Sequence, residues 1–223
     1  RSTTTRASDD SLKQISYYTG TESGEETIDW SQEYNYDGSA VKTTTIYTHD
    51  ADGALTKSTV WKYTVAVTVK PLDAALKLKK SETFYKGLKG DEKSDYTDTY
   101  KANGTDIDTT TTYAYHTATD NFAAASSANA DSYMTRSTTT RASDDSLKQI
   151  SYYTGTEVGE EVTSWSKEYN YNGSSVKTVT VYNTDSSGVL LDSTVYKNVV
   201  TTNDPSAKPT VAQLATPANY LKK

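Results

Sequence analysis

Residues Arg1–Glu22 recur without a change at Arg136–Glu157, an offset of 135. This duplication constrains the fold more than any other feature of the chain, because whatever the first copy folds into the second must repeat. Extended to Val65 against Val200, the comparison gives 46 identities in 65 positions. A weaker copy lies between them. The stretch from Phe84 echoes that from Tyr17, setting Gly87 on Gly20, Gly90 on Gly24, Tyr96 on Trp30, Tyr100 on Tyr34, Gly104 on Gly38 and Tyr113 on Tyr47. That offset is 66–67, half of 135. The sequence therefore predicts two alternating repeat types in the order first, second, first. The expected spans are 1–70, 71–135 and 136–204, with 205–223 opening a further unit or forming an inter-unit segment. With Arg1 and not Met at its start, the chain reads as a piece of a longer array.

Leu, Ile, Val and Phe sum to only 33 of 223 residues, low for an ordinary globular core. The balance is 19 Tyr and 39 Thr, both suited to a pleated, half-exposed strand surface. A net charge of -6 is too small to hold the chain open by repulsion. The absence of Cys excludes disulfides, thiolate metal sites and cysteine nucleophiles. No apolar run reaches the ~18 residues of a membrane-spanning helix. An acidic pI and mixed charges leave no nucleic-acid footprint.

Turn signals fall at Ser8–Asp10, Gly20–Gly24, Asp37-Gly38, Asp52-Gly53, Gly87–Gly90, Asn103-Gly104 and Asp120-Asn121. They return at Gly155–Gly159, Asn172-Gly173 and Ser187-Gly188. Asn-Gly and Asp-Gly suit hairpin turns, whose central residues need φ > 0. The spacing predicts an all-β chain of tandem antiparallel meanders, about four strands per ~67-residue unit. Ile28, Trp30, Tyr34 and Tyr36 alternate with Thr27, Asp29, Ser31 and Glu33, giving an aromatic face and a polar one. Val41, Thr43, Thr45 and Tyr47 alternate with Lys42, Thr44, Ile46 and Thr48 in the same way. The apolar face is thin, so a single sheet or shallow sandwich is expected, elongated by repetition. Pro71–Glu82 and Phe122–Ala130 break the rhythm; each can be read as a short helix, but the half-period copy favours strand. Pro205 and Pro209 mark an analogous joint.

Residues 47–59, with Tyr47, Asp50, Gly53, Leu55 and Thr59, resemble the YD repeat of Rhs-type secreted proteins, written YxYDxxGxLxxxT. The copy keeps Tyr182, Asp185, Gly188, Leu190 and Thr194, and residues 34–45 form a shortened relative. The usual Arg after the Gly is Ala54 here and Val189 in the copy. The resemblance covers about 40 residues. It implies an extracellular β-strand repeat of the kind that winds into a long sheet or hollow shell.

Candidate chemistry is sparse, and no catalytic, cofactor or metal residue is assigned. His49 becomes Thr184 in the copy, which would leave the duplicate empty, and His116 is the only other histidine. No Ser, His and acid trio survives in both copies. Asp50 and Asp52 open like a calcium loop, yet Thr59 stands where a closing carboxylate belongs and Asp52 becomes Ser187. Trp30, Trp61 and Trp165 could stack on sugars, though strand aromatics more often pack across strands. Lys77, Lys79, Lys80, Lys86, Lys89 and Lys93 are interleaved with Glu82, Asp91 and Glu92, as on a solvated face. Asn103 and Asn172 begin sequons that turn chemistry already explains.

The function these features predict is that of a structural repeat segment: extracellular or at the cell surface, part of a filament, surface layer or coat, and not an enzyme. Its expected partners are other copies of itself or further repeats of the same chain, with surface glycans as a further candidate. The alternatives are an adhesin or glycan-binding stalk, which needs a tip domain, and an Rhs-like toxin shell, which needs a C-terminal plug. The segment Arg1–Arg6 has high β-propensity and no Pro, so its edge is expected to pair with another strand.

Overall fold

The computed structural model describes residues 1–62, 64–72, 75–200 and 204–223. Fifteen strands occur among them: β1 (Ser2–Thr5), β2 (Leu12–Thr19), β3 (Thr27–Tyr34), β4 (Val41–His49), β5 (Leu55–Lys62), β6 (Leu78–Lys86), β7 (Lys93–Tyr100), β8 (Ile107–Tyr115), β9 (Ala123–Ala124), β10 (Met134–Arg141), β11 (Leu147–Thr154), β12 (Val162–Tyr169), β13 (Val176–Thr184), β14 (Leu190–Asn198) and β15 (Tyr220–Lys222). Helical structure among the described residues amounts to single turns, such as the 3₁₀ turn Ala125–Ser127 and α1 (Val211–Leu214).

The chain divides into two compact units, 1–108 and 109–223, with the boundary inside β8. In the first, β1 to β7 follow one another as an antiparallel meander. In the second, β8 and β10 to β15 do the same, while β9 adds to β8. The predicted all-β meander is thus present. Each first-type repeat carries five strands, and the second-type repeat carries four, one of them only two residues long. The two first-type copies keep one register: Ser2 lies opposite Ser16 as Ser137 lies opposite Ser151, and Tyr17 opposite Trp30 as Tyr152 opposite Trp165. β15 pairs with β14 as β6 pairs with β5, with Lys222 opposite Tyr196 as Lys79 is opposite Trp61, its counterpart.

Strand pleating sends alternate residues to opposite faces. One face of the first unit carries rows of small hydroxyl residues, with Ser16, Ser31 and Thr45 side by side across β2 to β4. Cross-strand hydroxyl contacts tie such rows together: Thr83 to Thr97 at 2.9 Å in the first unit and Thr111 to Thr139 at 2.8 Å in the second. Tyrosines lie over them, Tyr85 on Ser58 at 3.1 Å and Tyr153 on Ser137 at 3.1 Å. Pairs of this kind contribute roughly 0.2–1 kcal/mol each, so a sheet without a thick core draws much of its stability from them.

The other face holds the aromatics and is covered. The expected breaks in the hairpin rhythm are straps that fold back over it. In the first unit Leu76, from the segment between β5 and β6, packs with Trp30, Ile46 and Trp61. In the second, Leu214 packs with Trp165, Val179 and Val181. This corrects the reading of Pro71–Glu82: residues 75–77 belong to the strap and the strand begins at Leu78, while Asp73 and Ala74 lie outside the described residues. Phe122–Ala130 is likewise a strap, holding β9 and the 3₁₀ turn. The core is as thin as the composition implies, because one strap supplies only one or two apolar side chains.

A conserved corner closes the first-type repeats. Arg6 donates to Leu12 O at 2.8 Å and its guanidinium stands over Tyr36; Arg141 donates to Leu147 O at 2.6 Å and stands over Tyr171. Tyr36 was expected on the aromatic strand face; it sits instead in the turn after β3, 75% exposed.

Candidate functional site

The strap is clasped by one position of β3 and its copy in β12. Gln32 is fully buried; its amide donates to Thr44 Oγ1 at 3.1 Å and Val65 O at 2.8 Å, and accepts from Val67 N at 3.1 Å. A buried amide so bonded has its donors and acceptor met. In the second unit the same position is Lys167, also buried, which donates to Asp204 and to Pro205 O. Tyr169 donates to the same Asp204 carboxylate at 3.0 Å. Burial alone would lower the Lys167 pKa, but the Asp204 and Tyr169 contacts outweigh it and hold the ammonium above its usual range. Burial likewise pushes the Tyr169 phenol up. Beside each clasp stands a stacked pair, Tyr17 on Trp30 at 3.9 Å and Tyr152 on Trp165 at 4.3 Å between ring centroids.

A second polar cluster occupies the same face at β5 to β7. Glu82 is buried and accepts from Thr59 Oγ1 at 3.2 Å, Lys79 Nζ at 3.0 Å and Tyr100 Oη, with Lys57 Nζ at 3.5 Å. Burial would raise its pKa, but Tyr100, Lys79 and Lys57 together hold it below the ordinary range. Burial and the Glu82 carboxylate push the Tyr100 phenol far above its own. A depressed carboxylate stabilises the fold above its unfolded pKa, about 4.3, and that contribution is lost as pH falls through the folded value. Glu82→Gln is therefore expected to lower unfolding free energy at pH 7 by about 1–3 kcal/mol. The gap from the unsubstituted chain should narrow progressively below about pH 4–5. Urea unfolding followed by tryptophan emission across that range checks both; a gap independent of pH would remove the carboxylate from the account.

The predicted sites do not converge. His49 sits at the end of β4 opposite Leu55. His116 stacks on Tyr133 at 4.7 Å, with its Nδ1 2.7 Å from Asn121 Oδ1. Asp50 Oδ1 accepts from the N–H groups of Asp52 and Ala54 at 3.0 and 2.9 Å, and so serves the turn. Asp185 does the same in the copy with Ser187 and Val189. Asn103 and Asn172 accept from Thr105 and Ser174 N–H in their turns. Among the described residues no three His, Asp or Glu side chains come together as a metal would require. Of the lysine run, Lys79 joins Glu82, and Lys93 is buried.

Gln32 and Lys167 are not singled out by the sequence, and Glu82, read there with the lysine run as part of a solvated face, is buried instead, as is Lys93. One signal was available for the first two: at the offset of 135, Gln32 and Thr44 give way to Lys167 and Val179, two of the 19 differences in the 65 positions compared.

The remaining feature is the edge at β1. All four of its residues are exposed, and a groove of about 470 Å³ opens beside it, lined by Arg1, Ile15, Tyr17, Tyr34, Val67 and Val69 among others. No helix of the described residues is long and apolar enough to cross a membrane.

No protein-family model and no curated protein matches the chain. Among solved structures, a porin-like protein from Bacteroides uniformis aligns over 86% of this chain and 95% of that one, at 10% identity and a TM-score of 0.25. A score of that size does not equate the two folds.

Proposed function

We propose that this chain is a structural segment of a tandem-repeat protein, extracellular or at the cell surface, that gains length by joining strands edge to edge and carries out no reaction. The observation that carries this reading is the reuse of one register. The same 22 residues form the same hairpin twice, and β15 pairs with β14 in the register that β6 keeps with β5. A repeat added this way extends a meander without disturbing those already formed. The ionisable residues support it as well, since those described above serve turns, straps, strand ends and contacts between strands. The Rhs-type resemblance is in keeping with it: Gly53 and Gly188 take φ of 82° and 81° beside Asp50 and Asp185, as a turn-forming motif requires.

A glycan-binding stalk is the second reading. One observation favours it, the half-buried pair Phe84 and Tyr96, stacked at 4.5 Å on the aromatic face. Antibody against the chain, applied to intact cells of the native source, tests the first reading. Surface labelling, with fibres or a layer by negative-stain microscopy, is the expected result. Label confined to the cell interior would overturn it. A glycan array probed with the full chain tests the second, and Phe84→Ala should abolish any signal that arises from this pair.

A further inference from the structure

We infer that the free edge of β1 and its groove form a docking site for a second-type strand and strap, a segment with the sequence of residues 109–133 presented by another copy of that repeat. The chain contains its own demonstration of what covers this surface. Arg136–Glu157 is identical to Arg1–Glu22, and there the edge is occupied. β8 pairs with β10 in a fixed register, Thr111 opposite Thr139, Tyr113 opposite Ser137 and Ala114 opposite Arg136. The strap that follows β8 then places Phe122 on the aromatic face. Its ring lies 4.4 Å from the Arg136 guanidinium and meets Tyr152 edge-on at 6.4 Å, and Tyr152 stacks on Trp165.

The first copy presents the same receiving elements. Arg1 stands 5.8 Å over Tyr17, which stacks on Trp30, and Arg1 and Tyr17 border the groove where a Phe122 equivalent would sit. Burial records the difference. Ser137 is buried where Ser2 is exposed, and Tyr153 is half-buried where Tyr18 is 46% exposed. Unpaired backbone N–H and C=O groups on such an edge template an added strand. A guanidinium above stacked rings accepts one more aromatic face at little cost. The inference rests on the edge-to-edge reading above and names the joint: its sequence, register and anchoring side chain.

The test adds a fluorescent peptide of residues 109–133 to the full chain. Saturable binding at one peptide per chain is expected by anisotropy. Phe122→Ala in the peptide or Arg1→Ala in the chain should weaken it at least tenfold, and Thr111→Pro in the peptide should abolish it. Because the chain has no Cys, register can be read directly. Ser2→Cys in the chain should form a disulfide with a Tyr113→Cys peptide and not with a Thr112→Cys peptide, whose side chain faces the opposite side. No binding and no selective cross-link overturns the inference, as does equal binding by the Thr111→Pro peptide. The two readings fail separately. Surface fibres in the native source with no peptide capture leave the structural role and remove this joint; capture by a chain found only inside the cell does the reverse.

Discussion

Gly173→Ala is expected to lower unfolding free energy by about 2–4 kcal/mol, a cost made of left-handed backbone strain and a direct steric clash. Gly173 has φ of 70°, and a Cβ built there would stand 2.6 Å from Leu147 N. Its counterparts share the arrangement: a Cβ at Gly38 would lie 2.7 Å from Leu12 N and one at Gly104 2.6 Å from Leu78 Cα. In all three repeats a hairpin tip folds back onto the first residue of a strand, so backbone meets backbone and no side chain can yield. The contact is locked by Ser11 Oγ donating to Tyr36 O at 3.1 Å and Ser146 Oγ to Tyr171 O at 3.3 Å. Gly159→Ala is the control. Its φ is 87°, but nothing lies within 4 Å of the added Cβ, so only the left-handed penalty of about 1–2 kcal/mol applies. Equal urea midpoints for the two variants would show that the backbone contact contributes nothing.

Gln32→Lys is expected to cost roughly 2–4 kcal/mol, even though lysine is the residue at the equivalent position of the second copy. Gln32 is fully buried among Thr44 Oγ1, Val65 O and Val67 N. Among the described residues Gln32 has no carboxylate partner, and a lysine there would leave Val67 N–H without its acceptor. Lys167 is tolerated because Asp204 faces it and Val179 replaces the threonine hydroxyl. Position 69 is the sequence counterpart of 204, and Val69 lines the groove that Tyr34 shares, as Asp204 takes the hydroxyl of Tyr169. The triple substitution Gln32→Lys, Thr44→Val, Val69→Asp should therefore recover most of the loss. Val69→Asp alone, at a residue 77% exposed, should change stability by no more than about 0.5 kcal/mol. A double-mutant cycle between positions 32 and 69 measures the coupling, and a coupling near zero would mean that the two clasps are unrelated.

The hairpins were legible because their determinants are local. Asp50 with Gly53, Asp37 with Gly38 and Asn103 with Gly104 announce left-handed turns that need no tertiary context. The straps were not legible. Pro71–Leu76 and Phe122–Ala130 have neither strand alternation nor a full helical period, and Leu76 and Phe122 answer to the sheet face beneath them. Leu76 is buried by Trp30 and Trp61, distant in sequence, and Phe122 is held by Arg136. The same holds for the polar side chains. Nothing near Glu82 in sequence marks it as buried; Thr59, Lys57 and Tyr100 reach it from neighbouring strands.

By itself the sequence determined the strand class, the turn positions and the repeat order, because the 135-residue duplication and the glycine turns act through φ/ψ preferences that any context must respect. Only the tertiary structure decided which face is covered and which segments cover it. Arg136–Glu157 has β8 along its edge and Phe122 over Arg136, neighbours that nothing within those 22 residues specifies. Burial and pairing are properties of neighbours in space, and identical residues carry no record of theirs.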